Sequence, residues 1–261
     1  MMLRILLIVA GLLPGLAMPL LAWADEVRVV SSGGFAVAYK ELAPQFEKAT
    51  GHTLVSAWGP SMGATVDAVP QRLARHEPID LVIMVGYALG KMVDAGVVGP
   101  ADHLDLARSS IGMAVRAGSP HPDISTLEAL KRALLAAKSV AYSDSASGVY
   151  IENELYRKMG IEAEMKPKSR MIPAEPVAQV VARGEAELGF QQISELKPVA
   201  GIDLVGPLPA GAQQVTIFSG GVLADAPHKE AARALLKFLA SPAAADAVRR
   251  SGMDPVPGSG S

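Results

Sequence analysis

From Asp25 onward the chain alternates short β-rich runs with amphipathic segments, and this rhythm constrains the fold more than any other feature of the sequence. Val27 to Val30 reads as a strand. Phe35 to Ala49 reads as a helix, because Phe35, Tyr39, Leu42 and Phe46 share one face at helical spacing and Gly51 supplies the stop. Further apolar runs at Leu54 to Ala57, Leu81 to Val85, Ile111 to Val115, Val140 to Tyr142 and Leu188 to Gln191 alternate with helical stretches at Leu127 to Ala137, Ile151 to Met159 and Val177 to Arg183. The class implied is α/β. There is no internal repeat and no obvious linker; only Pro257 to Ser261 has the composition of a loose tail. The expectation is therefore two intertwined lobes. Residues 25–107 plus 214–261 form lobe one and 108–213 form lobe two, with crossovers at Ile111 to Arg116 and Val215 to Phe218. The stretch from His228 to Leu239 is expected to pack against its lobe through a broad apolar stripe.

The first 24 residues carry Arg4, an apolar run from Ile5 to Leu21, and Ala22-Trp23-Ala24 at cleavage spacing. This is the pattern of a secretory leader cut after Ala24, which implies a periplasmic destination. Gly11, Pro14, Gly15 and Pro19 interrupt the run, which argues against stable membrane insertion. With no cysteine, the chain has no disulfide, thiolate zinc site or cysteine nucleophile. Its five histidines show no metal-ligand spacing, and neither a metal nor a cofactor is expected. The net charge is -2 and the 24 basic residues are dispersed, so nucleic acid is not an expected partner. There is no Gly-x-Ser-x-Gly elbow, and Gly33-Gly34 lacks dinucleotide-fingerprint spacing, which removes serine hydrolases and nucleotide enzymes.

The informative residues are small ones placed where strands should end. Ser31-Ser32-Gly33-Gly34 follows the first strand and opens the first helix, so its hydroxyls and free N–H groups are suited to an anion. An ordinary N-cap with glycines for a tight turn would look the same. The arrangement returns at Pro60-Ser61-Met62-Gly63 and at Ser143 to Gly148, which contains Ser145 and Ser147. Three such turns point to one convergent anion site.

These turns, with Ser147-Gly148-Val149-Tyr150, Ala174-Glu175-Pro176-Val177, Leu188-Gly189-Phe190, Ser194-Glu195 and Ser251-Gly252-Met253-Asp254-Pro255, resemble the periplasmic molybdate-binding-protein family over nearly the whole chain after the leader. The resemblance implies the two-lobed type II periplasmic-binding-protein fold, with a hinged cleft in which serine hydroxyls and backbone amides hold an oxyanion. Those ligand positions carry over to Ser31, Ser61, Ser147 and Val177. The sequence departs from the family at Gln192, where a tyrosine is usual, and at Met84-Val85-Gly86, where an aspartate is typical. Longer strings, Arg72 to Arg75, Ala141 to Tyr150, Arg170 to Val177 and Gly189 to Leu196, resemble the branch represented by bacterial aconitate isomerases. That resemblance implies an isomerase acting on a tricarboxylate anion. The alternative is the solute-binding component of an ABC importer, whose partner would be a membrane permease.

Interconverting the aconitate isomers by an allylic proton shift requires a base, a proton donor and positive potential for three carboxylates. On chemistry alone, Glu175 and Tyr142 are the candidate base and donor, and Arg170 is the candidate clamp. Substrate contacts are expected at Ser31, Ser32, Gly33, Gly34, Ser61, Met62, Gly63, Ser145, Ser147, Gly148, Arg170, Val177, Gln191 and Gln192. Each candidate has a structural alternative. Glu175 can be a helix N-terminal carboxylate, Tyr142 a core edge residue, Arg170 a solvated charge and Asp144 a capping residue.

Overall fold

The computed structural model describes residues 24–173 and 175–256, so the expected leader up to Trp23, Ala174 and the 257–261 tail lie outside the described residues. Strands β1 (Glu26–Ser31), β2 (Thr53–Trp58), β3 (Leu81–Val85), β4 (Val98–Ser109), β10 (Thr216–Leu223) and β11 (Asp254–Pro255) build a six-stranded sheet in the order β11-β4-β10-β3-β1-β2. Strands β5 (Ile111–Arg116), β6 (Val140–Ser143), β7 (Ser169–Ile172), β8 (Leu188–Gln192) and β9 (Ile202–Pro207) build a five-stranded sheet in the order β7-β6-β8-β5-β9. The mixed α/β class is the one expected from the rhythm of the sequence, and the two-sheet architecture is the one the family resemblance implies.

The apolar runs dictate which strands are central. Every residue of β3 is buried, because it pairs in parallel with β1 on one side and antiparallel with β10 on the other. A strand covered on both faces needs a continuous apolar run, and Leu81 to Val85 provides it. The helix Gly33–Thr50 lays Phe35, Tyr39, Leu42 and Phe46 against this sheet and ends at Gly51, whose φ of 78° suits a residue without Cβ. Full burial of each such side chain contributes about 1.5–3 kcal/mol. A separate core forms around the second sheet, with Met113, Leu130, Leu134, Tyr142, Tyr156 and Phe190.

The chain passes from the first sheet to the second at Ser110, between β4 and β5, and returns between Pro207 and Thr216. Ile111–Arg116 belongs wholly to the second sheet and Thr216 to Phe218 wholly to the first, so neither expected crossover strand spans the two. The long strand β4 was not legible in the sequence. It mixes Pro100 with Asp102, His103, Asp105 and Arg108 and has no clean alternation. Two of its carboxylates are satisfied from far along the chain, Asp102 by Arg233 at 2.6 Å and Asp105 by the Ser219 hydroxyl at 2.6 Å. The expected helix from Ile151 to Met159 begins instead as a π-helical segment, Ile151–Leu155, before the α-helical turn Tyr156–Met159.

Candidate active site

The C-terminal ends of the strands in both sheets face a cavity of about 340 Å³, near the lower end of the ~300–1,000 Å³ range typical of ligand sites. The first sheet contributes Ser32, Gly33 and Gly34 after β1, Trp58 to Pro60 after β2, and Phe218 of β10. The second contributes Ser143 to Ala146 after β6, Gln191 and Gln192 at the end of β8, and Glu195 in the short turn of helix Ile193–Leu196. Glu175 and Pro176 stand at its edge.

The two halves meet around Glu195. The neighbouring Ser194 hydroxyl donates to the Gly34 carbonyl at 2.8 Å, pinning this turn to the start of the helix Gly33–Thr50. The Glu195 carboxyl rests on Gly33 itself, and a Cβ at position 33 would overlap Oε1 of Glu195. Gly34 is similarly committed, since a Cβ there would run into the Phe218 ring. Gln191 fixes its own amide by accepting the Val177 N–H through Oε1 at 3.0 Å, and its side chain also hydrogen-bonds the Glu195 carboxyl. Protein atoms enclose this carboxyl, and the partial exposure that Glu195 retains is consistent with its place in the cavity lining. Burial, the largest influence, raises its pKa; the Gln191 hydrogen bond opposes this, the charge of Asp144 adds to it, and the net value is about 7.

Three cavity-lining residues carry a buried polar atom with no hydrogen-bond partner among the described residues: Ser32 Oγ, Thr65 Oγ1 and Gln192 Oε1. Buried polar groups left in this state are costly, about 1–3 kcal/mol each, and mark places where a ligand can repay the cost. Gln192 already donates from Nε2 to the Thr216 hydroxyl at 3.0 Å. Exchanging its amide oxygen and nitrogen would keep a bond to Thr216 while aiming two donors at a carboxylate.

Of the residues expected to hold substrate, Ser32, Gly33, Gly34, Ser145, Gln191 and Gln192 line this cavity together with Glu175. The serines carried over from the resemblance do not. Ser31 Oγ donates to the Ser32 carbonyl at 3.1 Å, Ser61 Oγ accepts the Val85 N–H at 3.0 Å, and Ser147 Oγ pairs with Ser143 Oγ at 3.0 Å. Val177 spends its N–H on Gln191, and Met62 takes a contact from the Tyr87 hydroxyl at 3.1 Å while packing on the first core. Gly63 and Gly148 are absent from the lining; a Cβ at Gly148 would collide with the Ser143 carbonyl, so that glycine serves the turn itself.

The structure places Tyr142 and Arg170 farther from this cavity. Tyr142 packs edge-on against Tyr156, 6.5 Å between ring centroids, and lines a different cavity with Glu152 and Lys166. Arg170 is exposed, lies 3.8 Å from Glu185, and faces a third recess. Both belong to adjacent strands of the second sheet, β6 and β7, at positions outside the cleft. Glu175 reaches the cleft edge but is exposed, and the Arg183 guanidinium donates to its carboxylate at 3.1 and 3.2 Å. Among the described residues lining the cavity there is no lysine, arginine or histidine. Positive potential there comes from N–H groups, chiefly the free first turn of the helix Gly33–Thr50. Among the described residues no cluster of three or more His, Asp or Glu is placed to hold a metal ion, and no helix is long and apolar enough to cross a membrane.

A two-sheet α/β chain with a ligand-sized cavity between its halves is the architecture of extracytoplasmic binding proteins. The chain belongs to the bacterial extracellular solute-binding protein family, whose model matches residues 27–254. An aconitate isomerase from Pseudomonas sp. is 54% identical over 241 residues, covering 92% of this chain and 92% of that protein. The molybdate-binding protein ModA of Azotobacter vinelandii is 25% identical over 255 residues, covering 88% of this chain. The fold likeness extends to solved structures: the periplasmic molybdate-binding protein of Azotobacter vinelandii superposes with a TM-score of 0.71 at 19% identity, over 89% of this chain and 100% of that one.

Proposed function

We propose that this protein interconverts trans- and cis-aconitate in the cleft between its two sheets. The observation that carries the reading is the 54% identity to an aconitate isomerase over 92% of both chains. The site suits that chemistry. An allylic isomerisation needs neither a redox partner nor water as a reactant, only a group that moves a proton while preorganised donors hold the carboxylates. In this reading the tricarboxylate lies against the first-turn N–H groups of the helix Gly33–Thr50, the Ser32 hydroxyl, Ser145 and the Gln192 amide. Closure of the two halves over it excludes water and strengthens each of those bonds. The protein is exported behind its N-terminal leader and works in the periplasm.

The family to which the chain belongs supports a second reading, a solute-binding component that hands an anion to a membrane permease without changing it. Incubating the purified protein with trans-aconitate and separating the two isomers by chromatography tests the proposal. Formation of cis-aconitate supports the isomerase. Saturable binding with unchanged ligand leaves the transport reading.

A further inference from the structure

We infer that Glu195 is the catalytic carboxyl of this cleft, a single group seated on Gly33 that takes the proton from the methylene carbon of the substrate and returns it to the other end of the allyl system. The inference rests on the isomerase reading and supplies the acid–base residue that reading requires.

Four carboxylates line the cavity: Asp67, Asp144, Glu175 and Glu195. Asp67 is exposed and pairs with Arg72 at 2.9 Å, and Glu175 is exposed and held by Arg183. A base surrounded by water and committed to a guanidinium gains nothing from the site. Glu195 differs in each respect. Its carboxyl is enclosed by protein, its contacts are the neutral Gln191 side chain and Gln192 backbone, and Asp144 adds a like charge from the turn after β6. With no cation among the described residues lining the cavity to hold it ionised, the carboxyl stays close to balance between its two forms at neutral pH. That balance suits a group that must accept a proton and then give it back.

The geometry gives the glycine that opens the helix a role. Oε1 of Glu195 occupies the volume that a Cβ at position 33 would take, so the bare Cα of Gly33 lets the carboxyl keep this seat at the helix N-terminus. The Ser194 bond to Gly34 holds that seat closed across the two halves of the protein.

In the forward step an oxygen of the Glu195 carboxylate forms an O–H bond as a methylene C–H bond breaks. The electron pair left on carbon spreads through the adjacent alkene into the conjugated carboxylate, where N–H donors stabilise it. In the return step the carbon at the far end of the allyl unit forms a C–H bond, the O–H pair reverts to Glu195, and the double bond has moved. Nothing is oxidised or reduced and no other reactant is consumed.

The test is proton NMR of trans-aconitate with the purified protein in D2O, run beside an emission titration with the same compound. Wild type should interconvert the isomers, with deuterium entering at carbon in the fraction of turnovers in which the Glu195 carboxyl exchanges with solvent before the return step. Glu195→Gln should lose both by about 100-fold or more, the scale of general acid–base catalysis, while its titration still saturates. Glu195→Gln that binds and turns over like wild type overturns the inference and leaves the isomerase reading intact. Wild type that binds without exchange or interconversion sinks that reading, and the inference with it. A second measurement does not depend on the folding of that variant. The kcat/KM of wild type should rise with pH through about 7 as the carboxyl ionises, and Asp144→Asn, by removing the like charge, should move that rise to lower pH. A rise that Asp144→Asn leaves in place also overturns the assignment.

Discussion

Replacing Glu195 with glutamine should flatten part of the pH dependence of stability, and the size of the effect follows from the enclosure of this one carboxyl. Its pKa is about 7 in the folded protein against 4.5 for an unperturbed glutamate. The folded state therefore holds the proton more tightly than the unfolded chain across that window. Glu195 contributes stability that is complete below the unfolded value and is lost as pH rises through the folded one. Integrated between about pH 5 and about pH 8, the loss is on the order of 2 to 3 kcal/mol. Other titrating groups act in the same range, but Glu195→Gln leaves them in place, so the difference between the two proteins isolates this residue. The assay is urea unfolding of wild type and Glu195→Gln at both pH values, followed by Trp58 emission. Wild type should lose on the order of 2 to 3 kcal/mol more than the variant on going to the higher pH. Equal losses in the two proteins would refute the claim that this carboxyl is desolvated.

Other consequences can be checked separately. Trp58 is the only tryptophan among the described residues, lines the cavity, and stands edge-on to Tyr39 with Lys40 Nζ 4.7 Å from its ring centroid. Titration with either aconitate isomer should therefore change its emission saturably, and an unresponsive spectrum despite calorimetric binding would remove Trp58 from the ligand's surroundings. Gly33→Ala puts a methyl group where Oε1 of Glu195 lies; at an overpacking cost of about 1–3 kcal/mol, it should lower kcat more than it weakens ligand binding, with unchanged kinetics as the contrary result. Arg170→Ala should leave aconitate affinity where it was, because Arg170 faces another recess. A loss of about 1.5–3 kcal/mol, the worth of a charged hydrogen bond, would return it to the site.

Periodicity carried much of the architecture. The buried faces of β3 and of the helix Gly33–Thr50 are fixed by local apolar spacing, and both were readable as such. The strand β4 was not, because its Asp102 and Asp105 are satisfied by Arg233 and Ser219, more than a hundred positions away, and no local pattern records such partners. The site divides in the same way. The turns at Ser32 to Gly34 and at Ser145 were legible from small residues following strands, and the structure brings them together with Gln191 and Gln192. Tyr142 pairs with Met171 and Arg170 with Ala141, so their side chains face opposite sides of the sheet, whereas this half of the cleft is lined from the ends of β6 and β8 and the turns after them. Glu195 was visible only as part of a Ser-Glu string. What makes it a site residue is the loss of water around it and the bare Cα of Gly33 beneath it, and both arise from contacts between chain segments some 160 positions apart.

The most direct test of the central claim starts from both ends of the reaction. Pure trans-aconitate and pure cis-aconitate are incubated separately with the purified protein and followed by proton NMR until neither spectrum changes. A catalyst accelerates both directions without moving the equilibrium, so the account predicts that the two samples converge on one common ratio of isomers, at a rate proportional to protein concentration. Two samples that remain as they began, while the protein still binds both compounds, would contradict it.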